Sequence, residues 1–350
     1  MYPVVKGSCR RLHKPCHSEQ GRRRGEESAV RAALALFLIV GSILSYPLEL
    51  PAAQTPEELL SAGRVDQALQ MLEHQLHTAP TAEAYNLFCR SHFELGAWDA
   101  GIPSCEKAVA LEPTNGLYHL WLGRIYGEKA DHSGFLTAAG LAKKVRTEFE
   151  RAVELSPKSW EARTDLAEFY VEAPGIVGGG KDKALAQAEL LAPSNPAMAH
   201  WVRARLAEKN KDNAGAEKEF RAAIDVSQGS ARAWLNLAGY YRHQNRFDEM
   251  QEALRTMESR PTDHSAALPD AAGLLLRTGR DYPLAIRLAR RYIDSSDTVE
   301  EAPVFKVRVL LGELLEKQGD RSGAAEEYRA GLALAHSYRP AQDGLKRLTK

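Results

Sequence analysis

The sequence predicts an all-α solenoid of about seven to eight antiparallel helix pairs. Three observations carry that reading. A pattern of large and small residues returns about every 34 residues, the period of a helical repeat array. It is seen in Trp234, Leu237, Ala238, Tyr241, Asn245, Met250, Leu254 and Met257, and earlier in Tyr85, Phe88, Cys89, His92, Gly96, Gly101, Cys105, Ala108 and Pro113. Within each unit a large residue opens one helix, a small one marks where two helices touch, and a turn leads to a second helix with matching inward positions. Finally, the chain is rich in Ala, Leu, Glu, Lys and Arg, which favour helix.

The elements follow in order. Residues 1–53 are expected to be a signal peptide or membrane anchor with a disordered leader. Ala32 to Tyr46 is an uncharged apolar stretch preceded by Arg22, Arg23, Arg24 and Arg31. It is short for a membrane span, which needs about 20 apolar residues, and fits the apolar region of an export signal ending near Leu50-Pro51-Ala52-Ala53. Cys9, His13, Cys16 and His17 lack the paired spacing of a zinc site. The array is expected over 54–338. Its first unit is short, with a first helix over Pro56 to Ala62. The second runs over about 82–115. The third carries Leu122, Gly123, Tyr126, Phe149 and Ala152, and the fourth Leu166, Ala167, Tyr170 and Ala184. The fifth carries Ala204, Ala216, Phe220 and Ala223, the sixth is the Trp234 unit, the seventh has Ala272, Leu275, Gly279 and Ala285, and the eighth Leu311, Gly312, Leu315, Ala324 and Tyr328. Residues 339–350 are expected to cap the array as a short basic helix with a polar end face, because a last repeat has no neighbour to cover it.

This pattern resembles the tetratricopeptide repeat, over roughly residues 54–338. Small residues such as Gly123, Ala204, Ala216 and Ala223 let paired helices approach. Aromatics such as Tyr126, Phe149, Phe220, Tyr241 and Tyr328 fill the space between them. Proline ends the second helices, since it lacks the N–H and restricts the residue before it. The resemblance implies a right-handed superhelix with a concave groove lined by first helices, which would take an extended peptide or partner helix. The groove candidates are Asn86, Arg90, Arg124, Thr164, Glu168, Arg205 and Arg242. Four are arginines, so the expected partner is a protein or peptide, possibly acidic. Cys89 and Cys105 lie on facing sides of one helix pair, as a disulfide or as two small buried apolar residues.

Two insertions depart from the pattern, at 129–140 and 172–181, and a longer linker near 295–304 carries Asp297, Glu300 and Glu301. Insertions in repeat arrays often map to function. Gly178-Gly179-Gly180-Lys181 opens a helix, yet lacks the spacing and preceding strand of a phosphate loop, so a sharp turn is expected. Asp131, His132 and Ser133 are adjacent in sequence, which says nothing of a spatial triad. No catalytic, metal or cofactor residues are assigned, and the chain is expected not to be an enzyme. Lys and Arg total 46, as do Asp and Glu. Beyond residue 53 the balance is 38 basic to 42 acidic residues, which excludes the basic footprint of a nucleic-acid binder. The expected function is a non-catalytic scaffold of the bacterial cell envelope. It would be periplasmic, or anchored to the inner membrane by an uncleaved N-terminal segment, its sole membrane contact. The alternative is an accessory that binds a small ligand or lipid through the two inserted loops, 129–140 and 172–181.

Overall fold

Six first helices start where an oxygen-bearing side chain meets a free helix N-terminus. The computed structural model describes residues 54–261 and 265–349; the expected export segment and its Cys9, His13, Cys16 and His17 lie outside them. Thr55, Thr81, Asn115, Ser159, Asn195 and Ser230 accept a backbone N–H of the first turn. Each satisfies a donor the helix itself leaves unpaired. The helices so begun are α1 (Pro56–Ser61), α3 (Ala82–Glu94), α5 (Gly116–Asp131), α7 (Trp160–Glu172), α9 (Pro196–Lys209) and α11 (Ala231–His243), followed by α13 (Ala267–Thr278) and α15 (Val304–Lys317). Each pairs with a second helix: α2 (Val65–Thr78), α4 (Trp98–Leu111), α6 (Phe135–Leu155), α8 (Lys181–Leu191), α10 (Asn213–Val226), α12 (Phe247–Glu258), α14 (Tyr282–Ile293) and α16 (Arg321–Leu332). The short helix α17 (Arg339–Leu348) follows. The described residues are thus all-helical, eight antiparallel pairs in series. Most consecutive first helices also touch one another, which puts them on the inner side of the array.

One turn recurs between the helices of a pair. Gly63, Gly96, Gly279 and Gly319 have positive φ there, and Lys211 and Asn245 take the same place in the fifth and sixth pairs. A left-handed residue just past a helix lets the next N–H reach back, as Ala97 N–H does to His92 O at 2.9 Å and Arg246 N–H to Tyr241 O at 2.9 Å.

Apolar clusters each span several neighbouring pairs, with Tyr126, Phe149, Tyr170, Phe220, Tyr241 and Tyr328 all buried. Their phenols are not wasted. Tyr126 donates to Glu106 at 2.5 Å, Tyr170 to Glu150 at 2.8 Å, Tyr241 to Glu217 at 2.9 Å and Tyr328 to Glu316 at 2.6 Å. Burial, then the carboxylate of Glu217, pushes the Tyr241 hydroxyl up to about 12.

The first insertion differs from the expected loop. Residues 129–140 mostly lengthen helices: α5 runs to Asp131, and α6 starts at Phe135 and continues for 21 residues. The 172–181 insertion is a compact turn with a single 3-10 element, Gly175–Val177.

The expected polar end face is also corrected. The eighth pair packs on the first. Leu59, Leu60, Val65, Ala68 and Leu72 share one apolar cluster with Phe305 and Ala335. Asp66 N–H donates to Leu334 O at 3.2 Å, and His336 N–H donates to Asp66 Oδ2 at 2.8 Å. Lys306 Nζ reaches Glu94 Oε2 at 2.6 Å. A Cβ on Gly63 would lie 2.9 Å from the Val304 backbone nitrogen. The array therefore closes on itself. The apolar ends that would otherwise face water cover each other, which is the hydrophobic gain that drives any helix packing.

Candidate binding face

The inner helices place the seven groove candidates in three different situations. Asn86 and Arg90 are withdrawn by the closure. Asn86 is 1% exposed and Arg90 8%. Arg90 makes a two-pronged pair with Glu300, its Nε at 2.8 Å from Oε1 and its Nη2 on Oε2. Glu57 adds a contact at 3.6 Å. The acidic linker that sequence placed outside the repeat pattern thus occupies the arginine that was expected to take an acidic partner. Thr164 is spent on its own helix, its hydroxyl donating to Trp160 O at 2.7 Å.

Arg124 and Arg205 remain on the inner side but are paired. Arg124 Nε donates to Asp165 at 2.6 Å, and its guanidinium and that of Arg90 stand 4.9 and 5.0 Å from the Trp121 ring centre. Arg205 bridges Glu172 at 2.6 Å and Glu208 at 2.5 Å. The expected positive stripe is therefore largely neutralised by the chain's own carboxylates.

Glu168 and Arg242 line an open cavity of about 260 Å³ together with Arg205. Four consecutive first helices, α7, α9, α11 and α13, contribute to its wall, and Trp201, Leu235 and Leu274 give it an apolar floor. Glu168 has an accessible surface, yet the surrounding protein pushes its carboxyl up to about 7. Burial is the main cause, and Asp165 adds to it while Arg205 opposes. This is a carboxyl facing a walled recess rather than bulk water. Sequence reasoning missed Trp201, Asn236, Gly239, Asp270 and Arg277, which also line the cavity. The legible signal was Gly239, a glycine inside a helix at a place where no helix contact needs one.

Cys89 and Cys105 are joined as a disulfide, with Cα atoms 5.3 Å apart, and both are fully buried. Gly101 makes the approach possible: a Cβ there would lie 2.7 Å from Ile125 Cδ1 and 3.2 Å from Cys89 O.

The remaining sequence motifs are structural. His132 and Ser133 cap the end of α5, His132 Nδ1 at 2.9 Å from Glu128 O and Ser133 Oγ donating to Lys129 O at 2.6 Å. In the glycine turn, Gly179 N–H and Gly180 N–H donate to Pro174 O and Tyr170 O, at 3.3 and 2.9 Å. Those amides are spent, so they are not free for a phosphate. A second cavity of about 230 Å³ lies beside this turn. Its Lys209 ammonium group is held by the backbone carbonyls of Val171 and Glu172, and the Lys183 ammonium group is held by that of Gly178 in the turn. Among the described residues no cluster of His, Cys, Asp and Glu could hold a metal ion, and no helix is long and apolar enough to cross a membrane.

Comparison with known proteins agrees on the repeat. The family model of the tetratricopeptide repeat matches residues 202–256, which run from α9 into α12. Sperm-associated antigen 1 of Rattus norvegicus is 29% identical over 139 residues, 35% of this chain and 15% of that protein. The chain thus spans only a small part of that relative's length. A thermophilic TPR protein of Thermus thermophilus is similar at 19% identity over 53% of this chain and 94% of its own, with a TM-score of 0.44. A human IFIT1 dimer with PPP-AAAA is similar at 16% identity over 89% of this chain and 80% of its own, with a TM-score of 0.43. Residues 202–256 thus match the tetratricopeptide-repeat family, and the helix pair of that window recurs on both sides of it.

Proposed function

We propose that the protein is a non-catalytic scaffold that holds a segment of a partner protein on its inner face, at the cavity between α7 and α13. Tetratricopeptide arrays generally serve protein–protein interaction, and stacked repeats make extended concave binding surfaces. The observation that carries the reading is the cavity itself. It lies on the side built by first helices, and it combines an apolar floor (Trp201, Leu235, Leu274) with polar groups at its rim. That is the composition of a recognition site rather than of a packing defect.

The location we propose is the bacterial cell envelope, in the periplasm or tethered to the inner membrane by the apolar stretch Ala32 to Tyr46. The Cys89–Cys105 bridge supports an oxidising compartment.

The test is a photo-crosslinker, p-benzoylphenylalanine, placed at Asn236 in the cavity and, as a control, at Met71, which is 41% exposed on a second helix. In native cells the Asn236 probe should give a discrete partner adduct that the Met71 probe does not. Equal labelling from both positions would count against the inner face as the binding surface. Intact mass from fractionated cells tests the location: a chain lacking about the first 53 residues in the soluble envelope fraction is expected for an exported form.

A further inference from the structure

The seam where the eighth pair meets the first two is held by charge as well as by apolar packing, and its charges do not balance. Asn86, Arg90 and Glu94 recur every fourth residue along one stripe of α3, and all three are buried. Arg90 is gripped by Glu300 and lies 3.6 Å from Glu57 of α1. Glu94 Oε2 meets Lys306 Nζ of α15 at 2.6 Å, while Glu300 and Glu301 act on the same carboxyl from the linker before α15. Tyr292 of α14 and Tyr338 before α17 also feel its charge. At an exposed point of the seam His336 Nδ1 stands 2.9 Å from Asp66 Oδ1 of α2, a tie that is ionic only with the imidazole protonated. Around α3, then, the carboxyl groups of Glu57, Glu94, Glu300 and Glu301 share two cations, Arg90 and Lys306.

The hydrogen bonding of the seam is also incomplete. Asn86 Nδ2 and Glu94 Oε1 are buried without a hydrogen-bond partner, and a buried polar atom left unpaired is worse off than in water. A neutral carboxyl bears that burial far better than a carboxylate does. The linker, in turn, is a built strap. The Tyr292 hydroxyl accepts from Val299 N–H at 2.8 Å and donates to Ala302 O at 2.8 Å. This clasp fixes the turn that delivers Glu300 to Arg90. The strap is thus anchored on the seventh pair, and only its acidic end reaches the second. Releasing Arg90 and Glu94 parts the seam without undoing any helix.

We propose that the seam is a latch, shut while Glu94 holds a proton and released when Glu94 ionises, so that the closed array opens with its first and last pairs free. Burial, with Glu300 and Glu301 adding to it, pushes the Glu94 carboxyl up from 4.5 to about 7 against the pull of Lys306. Because the shut value lies above the open one, closure is fully favoured below pH 4.5 and is lost as pH rises through about 7. Across that window the balance between shut and open changes on the order of a hundredfold. Opening uncovers Asn86, Arg90 and the apolar faces of Leu59, Leu60 and Phe305, which the shut seam buries. The latch rests on the closure alone and holds whatever the inner face binds.

The test is small-angle X-ray scattering of the full chain from about pH 5.5 to about pH 8.5 at constant ionic strength, a range that brackets the Glu94 transition. Far-ultraviolet circular dichroism is recorded on the same samples. The radius of gyration should rise with pH while the helical signal holds. Glu94→Gln, a neutral side chain of the same shape, should stay compact over the whole range. Lys306→Met removes the cation that opposes the shift, and Tyr292→Phe frees the strap, so both should move the rise to lower pH. A parent whose radius does not change with pH would overturn the latch. So would a rise that persists unchanged in Glu94→Gln, or a rise moved to higher pH by Lys306→Met. A rise accompanied by loss of helical circular dichroism would be unfolding rather than opening, and would overturn it as well.

Discussion

Gly63 and Lys211 occupy the same turn in different repeats, and opposite outcomes are expected from changing them. Gly63 has a φ of 70° and backs directly onto Val304. An alanine there takes on the left-handed penalty of about 1–2 kcal/mol and a backbone clash at the closure. Lys211 has a φ of 61° with no such need for a side chain. Gly63→Ala should lower the stability measured by urea unfolding by more than 1 kcal/mol, roughly the left-handed penalty alone. Lys211→Gly should raise it by up to about 1 kcal/mol. The same sign from both would refute this account of the turn. Glu94 gives a prediction in pH. It is 2% exposed, and Lys306, Glu300 and Glu301 face it from the last repeat and its linker. Burial pushes its carboxyl up from 4.5 to about 7, against the pull of Lys306. Because the folded value lies above the unfolded one, its contribution to stability is complete below pH 4.5 and is lost as pH rises through about 7. The melting temperature should carry a downward slope across that window, and Glu94→Gln should flatten it. An unchanged slope in the variant would assign the effect elsewhere.

At the scale of elements, α3 and α4 are the pair held covalently. The cysteines are 16 residues apart in sequence, and closing a loop of that length is worth about 3 kcal/mol through the unfolded chain. Replacing both by alanine should cost roughly that in a denaturant titration, and reductant should then have no further effect on the variant. The helices themselves were legible in the sequence because every signal agreed: the period, the composition, the aromatics between helices and the small residues at helix contacts. The first helix over Pro56 to Ala62 differs from the observed α1 by one residue at its end. Residues 129–140 were misread as a loop because an insertion in a repeat period looks alike whether it lengthens a turn or two helices. FLTAAGLAKK has no glycine-proline break, and its alanines and lysines favour helix. The seven groove candidates followed from repeat position alone. Position says which way a side chain faces. It does not say which distant carboxylate will reach it, and so Arg90 was assigned to a partner when it belongs to Glu300.

For the molecule, the closure is the property that repeat logic conceals. In a solenoid each unit contacts its neighbours, so a contact between Asp66 and His336 has no counterpart in any window of sequence. Its traces were present but scattered: a short first unit and a lengthened acidic linker. The closure also shapes the binding face. It covers Asn86 and Arg90 and leaves the recess between α7 and α13 open on the inner side. The measurement that tests this most directly is amide hydrogen exchange in α1 and α2 of the parent and of Phe305→Ala. Truncating this buried ring removes apolar contact worth about 3–5 kcal/mol from the cluster it shares with Leu59, Leu60 and Leu72. The account predicts that α1 and α2 lose protection, though they lie at the opposite end of the chain, while α9 to α12 keep theirs. Unchanged protection of α1 and α2 in the variant would contradict the closed array.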